Sequence, residues 1–108
     1  MDINIIAVDH PNIEALRNHY EQKLNSKFGH YDFVKRADVR VKKNEKKEFQ
    51  VSIELSLEKG PVIHALASHE SENKALFQAI KKLQTQIEKF KAKHYHKIYD
   101  TDKLKNGD

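Results

Sequence analysis

The chain has 108 residues, which is enough for a single domain with one hydrophobic core. Charged residues make up 33% of the sequence and the mean hydropathy is -0.82, so the composition alone is close to that of disordered chains. Evidence for a folded domain must therefore come from the spacing of apolar residues along the chain. There is no cysteine, which excludes disulfides, thiolate metal sites and a cysteine nucleophile, and Lys and Arg outnumber Asp and Glu by 20 to 16.

An N-terminal strand is predicted over residues 2–8. Ile3, Ile5 and Ala7 alternate with more polar neighbours, which indicates a strand with one buried face. This apolar stretch is too short for a secretory signal or a membrane span, and the absence of cysteine suits a reducing compartment. We therefore expect a cytoplasmic protein that does not associate with a membrane.

The spacing of apolar residues then changes to steps of three and four between Ile13 and Phe28. This spacing predicts an amphipathic helix with one buried stripe. Asn12 is suited to the N-cap of this helix, and Gly29 is suited to its C-terminal stop.

Three further strands are predicted in the middle of the chain. Alternation with a period of two returns at 34–41, 49–57 and 63–67. The first two of these strands are joined across Lys43 to Lys47, and Lys59-Gly60-Pro61 forms the next turn. Because the last strand carries small alanines on its apolar side, a helix could lie close against it.

A long second helix is predicted from the N-cap Ser71. Its apolar stripe begins at Leu76 and ends at His94, and the helix could run to about Ile98. It would then be about 40 Å long, whereas a strand of about six residues spans about 20 Å. We therefore expect its C-terminal turns, which are rich in lysine, to overhang the sheet.

These elements predict an α+β fold, a two-layer sandwich in the order β-α-β-β-β-α. Its four-stranded mixed sheet would carry both helices on one face. The first two strands would be parallel with a right-handed crossover if they are neighbours, and the other pairs would be antiparallel. The domain would comprise residues 1–98, followed by a flexible polar tail over residues 99–108.

Basic residues concentrate on the first helix, around the second strand and on the last helix. If the helices lie side by side, their lysines would form a positive surface that neutralises RNA phosphates. The alternative is that these lysines only keep the protein soluble, and charge alone does not decide between the two. Phe28, Phe49 and Phe90 fall on predicted core stripes, which favours recognition of RNA backbone and shape over base stacking on the sheet.

The sequence contains no recognised catalytic or metal-binding motif. His94 and His96 lie on different sides of the last helix, and His64 has no carboxylate or serine partner in a motif spacing. With three glycines in the chain, a phosphate-binding loop is hard to build. We expect no enzyme activity, no cofactor, no metal and no small-molecule substrate.

Several short runs follow one another in an order and spacing typical of a known family. They are Ile3-Asn4-Ile5, Ala15-Leu16-Arg17, Lys23-Leu24, Lys27, Ile63-His64-Ala65, Ile80-Lys81-Lys82-Leu83, Gln86-Ile87, Lys89, Lys91 and Lys93. Together they resemble the short ribosome hibernation-promoting factors and ribosome-associated translation inhibitors. The likeness covers about residues 2–97.

The resemblance implies a protein that binds the small ribosomal subunit and its 16S rRNA in the channel for messenger and transfer RNA. Such a protein inhibits translation and preserves idle ribosomes during stress and stationary phase. The family's basic positions, carried over to this sequence, are Arg17, Lys23, Lys27, Lys82, Lys89, Lys91 and Lys93. Lysine predominates among them, which suits attraction to phosphates more than bidentate reading of bases.

The sequence departs from the family pattern in three places. The family's Gly-Gly turn is Gly60-Pro61, its acidic-Met-Tyr start of the last helix is Ser71-Glu72-Asn73, and its Ile-Asp pair is Leu76-Phe77. We expect the fold to survive these changes. Long members add a C-terminal domain that pairs ribosomes, so a chain that ends at Asp108 resembles the short form. A short form either needs a separate ribosome-dimerising factor or holds single ribosomes inactive.

Two other functions are compatible with parts of the sequence. A generic double-stranded RNA-binding module would use basic helices, but its usual order lacks the first strand. A metal-dependent enzyme using the histidines would contain stoichiometric zinc or manganese.

Overall fold

Two helices pack on one face of a four-stranded sheet in the computed structural model of the protein, which describes the backbone of residues 1–103 and the side chains of residues 1–93. The elements are β1 (Asp2–Ala7), α1 (Ile13–Phe28), β2 (Val34–Lys43), β3 (Phe49–Leu57), β4 (Val62–His69) and α2 (Glu72–Lys103). The predicted α+β class and element order are confirmed.

The strands lie in the order β1-β2-β3-β4, so each strand pairs with its neighbours in the chain. β1 is parallel to β2, with Ile5 opposite Val39, and the other two pairings are antiparallel. Ile53 faces Val39 on one side and Ala65 on the other, which places one buried row across all four strands. The predicted mixed sheet is therefore confirmed.

The core lies between this sheet face and the helices. α1 contributes residues four apart, and α2 contributes the predicted stripe as far as Phe90 together with two alanines that the prediction left out. His94, the predicted end of the stripe, lies outside the described side chains. The helical core residues are Leu16, Tyr20, Leu24, Phe28, Ala75, Leu76, Ala79, Ile80, Leu83, Ile87 and Phe90. Burial of each large apolar side chain stabilises the fold by about 1.5–3 kcal/mol. The small side chains on β4 and α2 let the two elements approach closely.

The predicted helix caps are present. The Asn12 side chain accepts a hydrogen bond from the Ala15 amide at 3.0 Å, which satisfies one free donor of the first turn. At the other end of α1, the Gly29 amide donates to the Asn25 carbonyl at 2.9 Å. The Ser71 hydroxyl accepts from the amide of Lys74 at 3.4 Å, at the start of α2.

Two side chains of α2 bind the outer edge of β4, an edge strand of the sheet. Lys82 Nζ donates to the Leu66 carbonyl at 2.6 Å, and Gln86 Nε2 donates to the His64 carbonyl at 2.7 Å. Four residues along a helix rise about 6 Å and two residues along a strand rise about 6.7 Å, so the two spacings match. Two carbonyls of this edge strand are thereby bonded to side chains of α2, which makes them less available to another strand.

The described part of α2 is longer than predicted. It runs to Lys103, past the expected end near Ile98, and its 32 residues span about 48 Å against about 30 Å for β3. The flexible tail predicted for residues 99–108 stays a prediction, and residues 104–108 lie outside the described part of the chain. Within the described residues, neither helix combines the length and apolar character needed to cross a membrane.

Candidate nucleic-acid interface

All seven predicted RNA-binding side chains lie on the two helices, outside the core. Six of them are exposed and Lys91 is half-buried. They are Arg17, Lys23, Lys27, Lys82, Lys89, Lys91 and Lys93. The question that the sequence left open is which of them share a surface.

On α1 the three basic residues fall on two different flanks. Lys23 and Lys27 border the groove between α1 and α2. Arg17 lies about 120° around the helix from Lys23 at 100° per residue, so it is on the other flank. The structure therefore brings Lys23 and Lys27 together and leaves Arg17 apart.

On α2 the four lysines also divide. Lys82, Lys89 and Lys93 lie within an arc of about 40°, on the flank that reaches the β4 edge through Lys82. Lys91 is about 180° from Lys82, and its Nζ lies 5.3 Å from the ring centroid of Tyr31. We call Lys82, Lys89 and Lys93 the edge group. We call Lys23, Lys27 and Lys91 the groove group, after the groove that Lys23 and Lys27 line, although Lys91 is not itself a lining residue.

The helices carry an excess of positive charge. Residues 13–28 and 72–93 contain nine Lys and Arg and four Glu. Among the seven predicted positions, Lys91 alone forms an ion pair with a carboxylate of residues 1–93, at 3.8 Å from Glu88 Oε2. The other six keep their charge unpaired within that part of the chain, which makes them available to an external anion.

The basic residues at the start of β2 are different. Lys35 lies 3.6 Å from Glu58, and Arg36 Nε lies 3.0 Å from Asp38 Oδ2. The hydrogen bond from Arg36 is the main cause that holds the pKa of Asp38 below its usual range. The positive charges of Lys35 and Arg36 at the start of β2 are therefore partly neutralised by neighbouring carboxylates.

The groove between the helices has a volume of about 350 Å³, with Leu76 and Ile80 among its apolar lining residues. Phe77, one residue after Leu76, also lines it and is 58% exposed. The predicted core positions of Phe28 and Phe90 are confirmed, and Phe49 is half-buried against the core. The sequence pattern assigned no role to Phe77. The sequence feature that could have revealed its exposure is its position, because Phe77 lies about 100° around α2 from the apolar stripe.

The histidines are dispersed over the described part of the molecule. His64 is exposed on the sheet face opposite the helices, and its Nε2 lies 3.1 Å from Ser52 Oγ. Among the side chains of residues 1–93, no three His, Asp or Glu residues gather closely enough to hold a metal ion.

A profile of the Sigma 54 modulation protein / S30EA ribosomal protein family matches residues 3–95. The chain belongs to this family. The predicted resemblance to the ribosome hibernation family is thereby confirmed. A search of curated proteins finds no match.

Two solved structures of known proteins are similar to this one. A ribosomal subunit interface protein from Coxiella burnetii has 27% identity and a TM-score of 0.75, over 85% of this chain and 99% of that chain. The Protein Y N-terminal domain of Thermus thermophilus has 22% identity and a TM-score of 0.70, over 83% of this chain and 99% of that chain. The second likeness supports the fold alone.

This family member departs from the family pattern at the start of α2, where the structure shows what the changed residues contact. Glu72 Oε2 lies 3.0 Å from His10 Nε2, and Asn73 Oδ1 lies 3.0 Å from His19 Nε2. Since a carboxylate and an amide oxygen only accept hydrogen bonds, each histidine donates. The two contacts tie the start of α2 to α1 and to the segment before it, which fixes one end of the groove.

Proposed function

We propose that this protein binds the small ribosomal subunit through the basic faces of its two helices. It occupies the channel for messenger and transfer RNA at the 16S rRNA, inhibits translation and preserves idle ribosomes. The observation that carries this proposal is the set of six helix cations without an acidic partner among residues 1–93. Membership of a ribosomal protein family supports the same partner, as does the likeness to a ribosomal subunit interface protein.

The chemistry needed is the neutralisation of phosphates. A lysine that contacts RNA releases condensed counterions, so the logarithm of the binding constant falls linearly with the logarithm of salt concentration. Six contacts correspond to a slope of about -4 to -5. Doubling the salt concentration should then weaken binding about 16- to 32-fold.

In this proposal the protein acts by occupying a site and not by catalysing a reaction. It works in the cytoplasm with no cofactor and no small-molecule substrate, under conditions of stress or stationary phase. Inactive ribosomes would either be paired by a separate dimerising factor or be held as single particles. A generic double-stranded RNA-binding module is disfavoured, because β1 pairs in parallel with β2 and that module lacks this strand.

Co-sedimentation with small subunits and whole ribosomes through sucrose gradients at two salt concentrations tests the proposal. Three variants each remove three positive charges, so net charge is matched between them. The edge variant changes Lys82, Lys89 and Lys93 to Ala, the groove variant changes Lys23, Lys27 and Lys91, and the control changes Lys35, Lys42 and Lys46 on the β2 side. All of the control side chains are exposed.

We expect the wild type and the control to bind alike, with binding that weakens as salt rises. The edge and groove variants should bind more weakly and with a shallower salt dependence, by about 2 to 3 in slope. Equal losses of ribosome binding in all three variants would mean that binding depends on the net charge of the protein and not on which lysines carry it. No association of the wild type at low salt would refute the proposal.

A further inference from the structure

We infer that the groove between α1 and α2 receives one unpaired base of an RNA chain, stacked on Phe77, while the flanking phosphates contact Lys23 and Lys27. This inference rests on the proposed function and adds a base contact to a surface otherwise suited to phosphates. It concerns single-stranded RNA, because a base inside a duplex cannot enter a groove between two helices.

The Phe77 ring lies outside the core, so core packing does not account for a phenylalanine at this position. It is 58% exposed, and it is the only exposed Phe or Tyr among residues 1–93. Leu76 and Ile80, the neighbours that share its groove, are buried and give the groove an apolar floor. An exposed aromatic ring beside an apolar floor is the arrangement on which bases stack in single-stranded RNA sites, because every base has a π face.

The charges around the groove favour a polyanion over a protein segment. Lys23 and Lys27 line it on the α1 side, and Lys81 Nζ lies 5.4 Å from the Phe77 ring centroid. None of the described lining residues is acidic. A phosphate on either side of the stacked base would therefore meet an ammonium group without repulsion from a carboxylate.

The polar end of the groove offers hydrogen-bond donors to the edge of a base. Asn73 Oδ1 accepts from His19 Nε2 at 3.0 Å, which leaves the two N–H groups of the Asn73 amide for another acceptor. The carbonyl oxygens and ring nitrogens of bases are such acceptors. The groove volume of about 350 Å³ is at the small end of the range for ligand sites, about 300–1,000 Å³, and suits a single nucleotide better than a helix with several anchors.

Position 77 lies at one of the places where this sequence departs from the pattern that the family resemblance implies. Where the family resemblance implies an Ile-Asp pair, this sequence has Leu76-Phe77. A carboxylate at position 77 would repel the phosphates next to a bound base, whereas the phenyl ring attracts the base itself.

Fluorescence anisotropy with two labelled ten-nucleotide strands tests the inference. One strand is oligouridylate, and the other is an abasic strand with the same number of phosphates. The proteins are the wild type, Phe77→Leu, Phe77→Trp and the control Val62→Ala, which changes an exposed apolar residue on β4. Thermal unfolding of each variant checks that the fold is kept, and because residue 77 is exposed we expect it to be.

We expect Phe77→Leu to weaken binding of oligouridylate by about 5- to 150-fold, with binding of the abasic strand unchanged. Phe77→Trp should retain or improve the preference for bases, and Val62→Ala should match the wild type. Equal effects of Phe77→Leu on the two strands, or no effect on either, would overturn the inference. Weaker ribosome binding by Phe77→Leu with unchanged affinity for oligouridylate would also overturn it, and would assign the groove to a ribosomal protein.

The inference and the proposed function fail in different ways. If the wild type co-sediments with ribosomes and the lysine variants do not, but Phe77→Leu shows no selectivity, the base site alone is wrong. If the wild type binds neither ribosomes nor either strand, both are wrong.

Discussion

Replacing Gly60 with alanine tests how tightly the turn between β3 and β4 packs against α2. A Cβ atom at this position would lie 2.8 Å from Phe90 Cε1 and 3.1 Å from its Cζ. The Phe90 ring is only 8% exposed and packs on Phe33 with 5.2 Å between ring centroids, so it has little room to move. Overpacking of this kind costs about 1–3 kcal/mol, whereas alanine gains about 0.4–1 kcal/mol by restricting the unfolded chain. We expect a net loss of about 1–2 kcal/mol.

Urea unfolding followed by far-ultraviolet circular dichroism measures this loss, and a double-mutant cycle assigns its cause. Leucine at position 90 lacks the Cε1 and Cζ atoms that an alanine at position 60 would meet. In the Phe90→Leu background, Gly60→Ala should therefore be neutral or stabilising by up to about 1 kcal/mol. If Gly60→Ala costs the same in both backgrounds, or changes the wild-type stability by less than about 0.5 kcal/mol, the argument from this contact is wrong.

Two further predictions concern Tyr20 and the edge of β4. Burial, and then the charge of Glu72, raise the pKa of Tyr20, so the folded state holds the phenol proton more tightly than the unfolded state. The resulting stability is complete below the unfolded pKa of about 10 and is lost above it. Relative to Tyr20→Phe, the wild type should lose about 1.4 kcal/mol between pH 8 and pH 11 in urea unfolding, and parallel pH profiles would contradict this. For Lys82→Ala with Gln86→Ala, we expect a loss of about 1 kcal/mol, since the freed carbonyls can bind water, and stronger self-association in sedimentation equilibrium. A double variant as stable and as monodisperse as the wild type would show that these bonds do not protect the edge.

Local periodicity was sufficient to predict the helices and strands and their order along the chain. The strands alternate and the helices repeat every three or four residues, because each element buries one face. This pattern is visible in the sequence of one element without knowledge of the element against which it packs. The Asn12 and Ser71 caps were predictable for the same reason, since capping depends on neighbours within four residues.

The grouping of the lysines could not be predicted in the same way. Sequence spacing places Lys82 and Lys91 on opposite sides of α2, but it does not say that one side meets β4 and the other meets Tyr31. Phe77 is a second example, because its position off the apolar stripe indicates exposure but does not show that it lines a groove shared with α1. Both features require the packing of elements distant in sequence.

The parallel pairing of β1 with β2 has a consequence for the order in which the protein folds. β2, β3 and β4 are joined by short turns, whereas β1 reaches β2 only after the segment 8–33 has crossed the sheet. That closure costs more chain entropy, and β1 brings only Ile5 as a buried residue. β1 should therefore dock last during folding and detach first in the native state, so that its amide protons exchange with solvent well before those of β3.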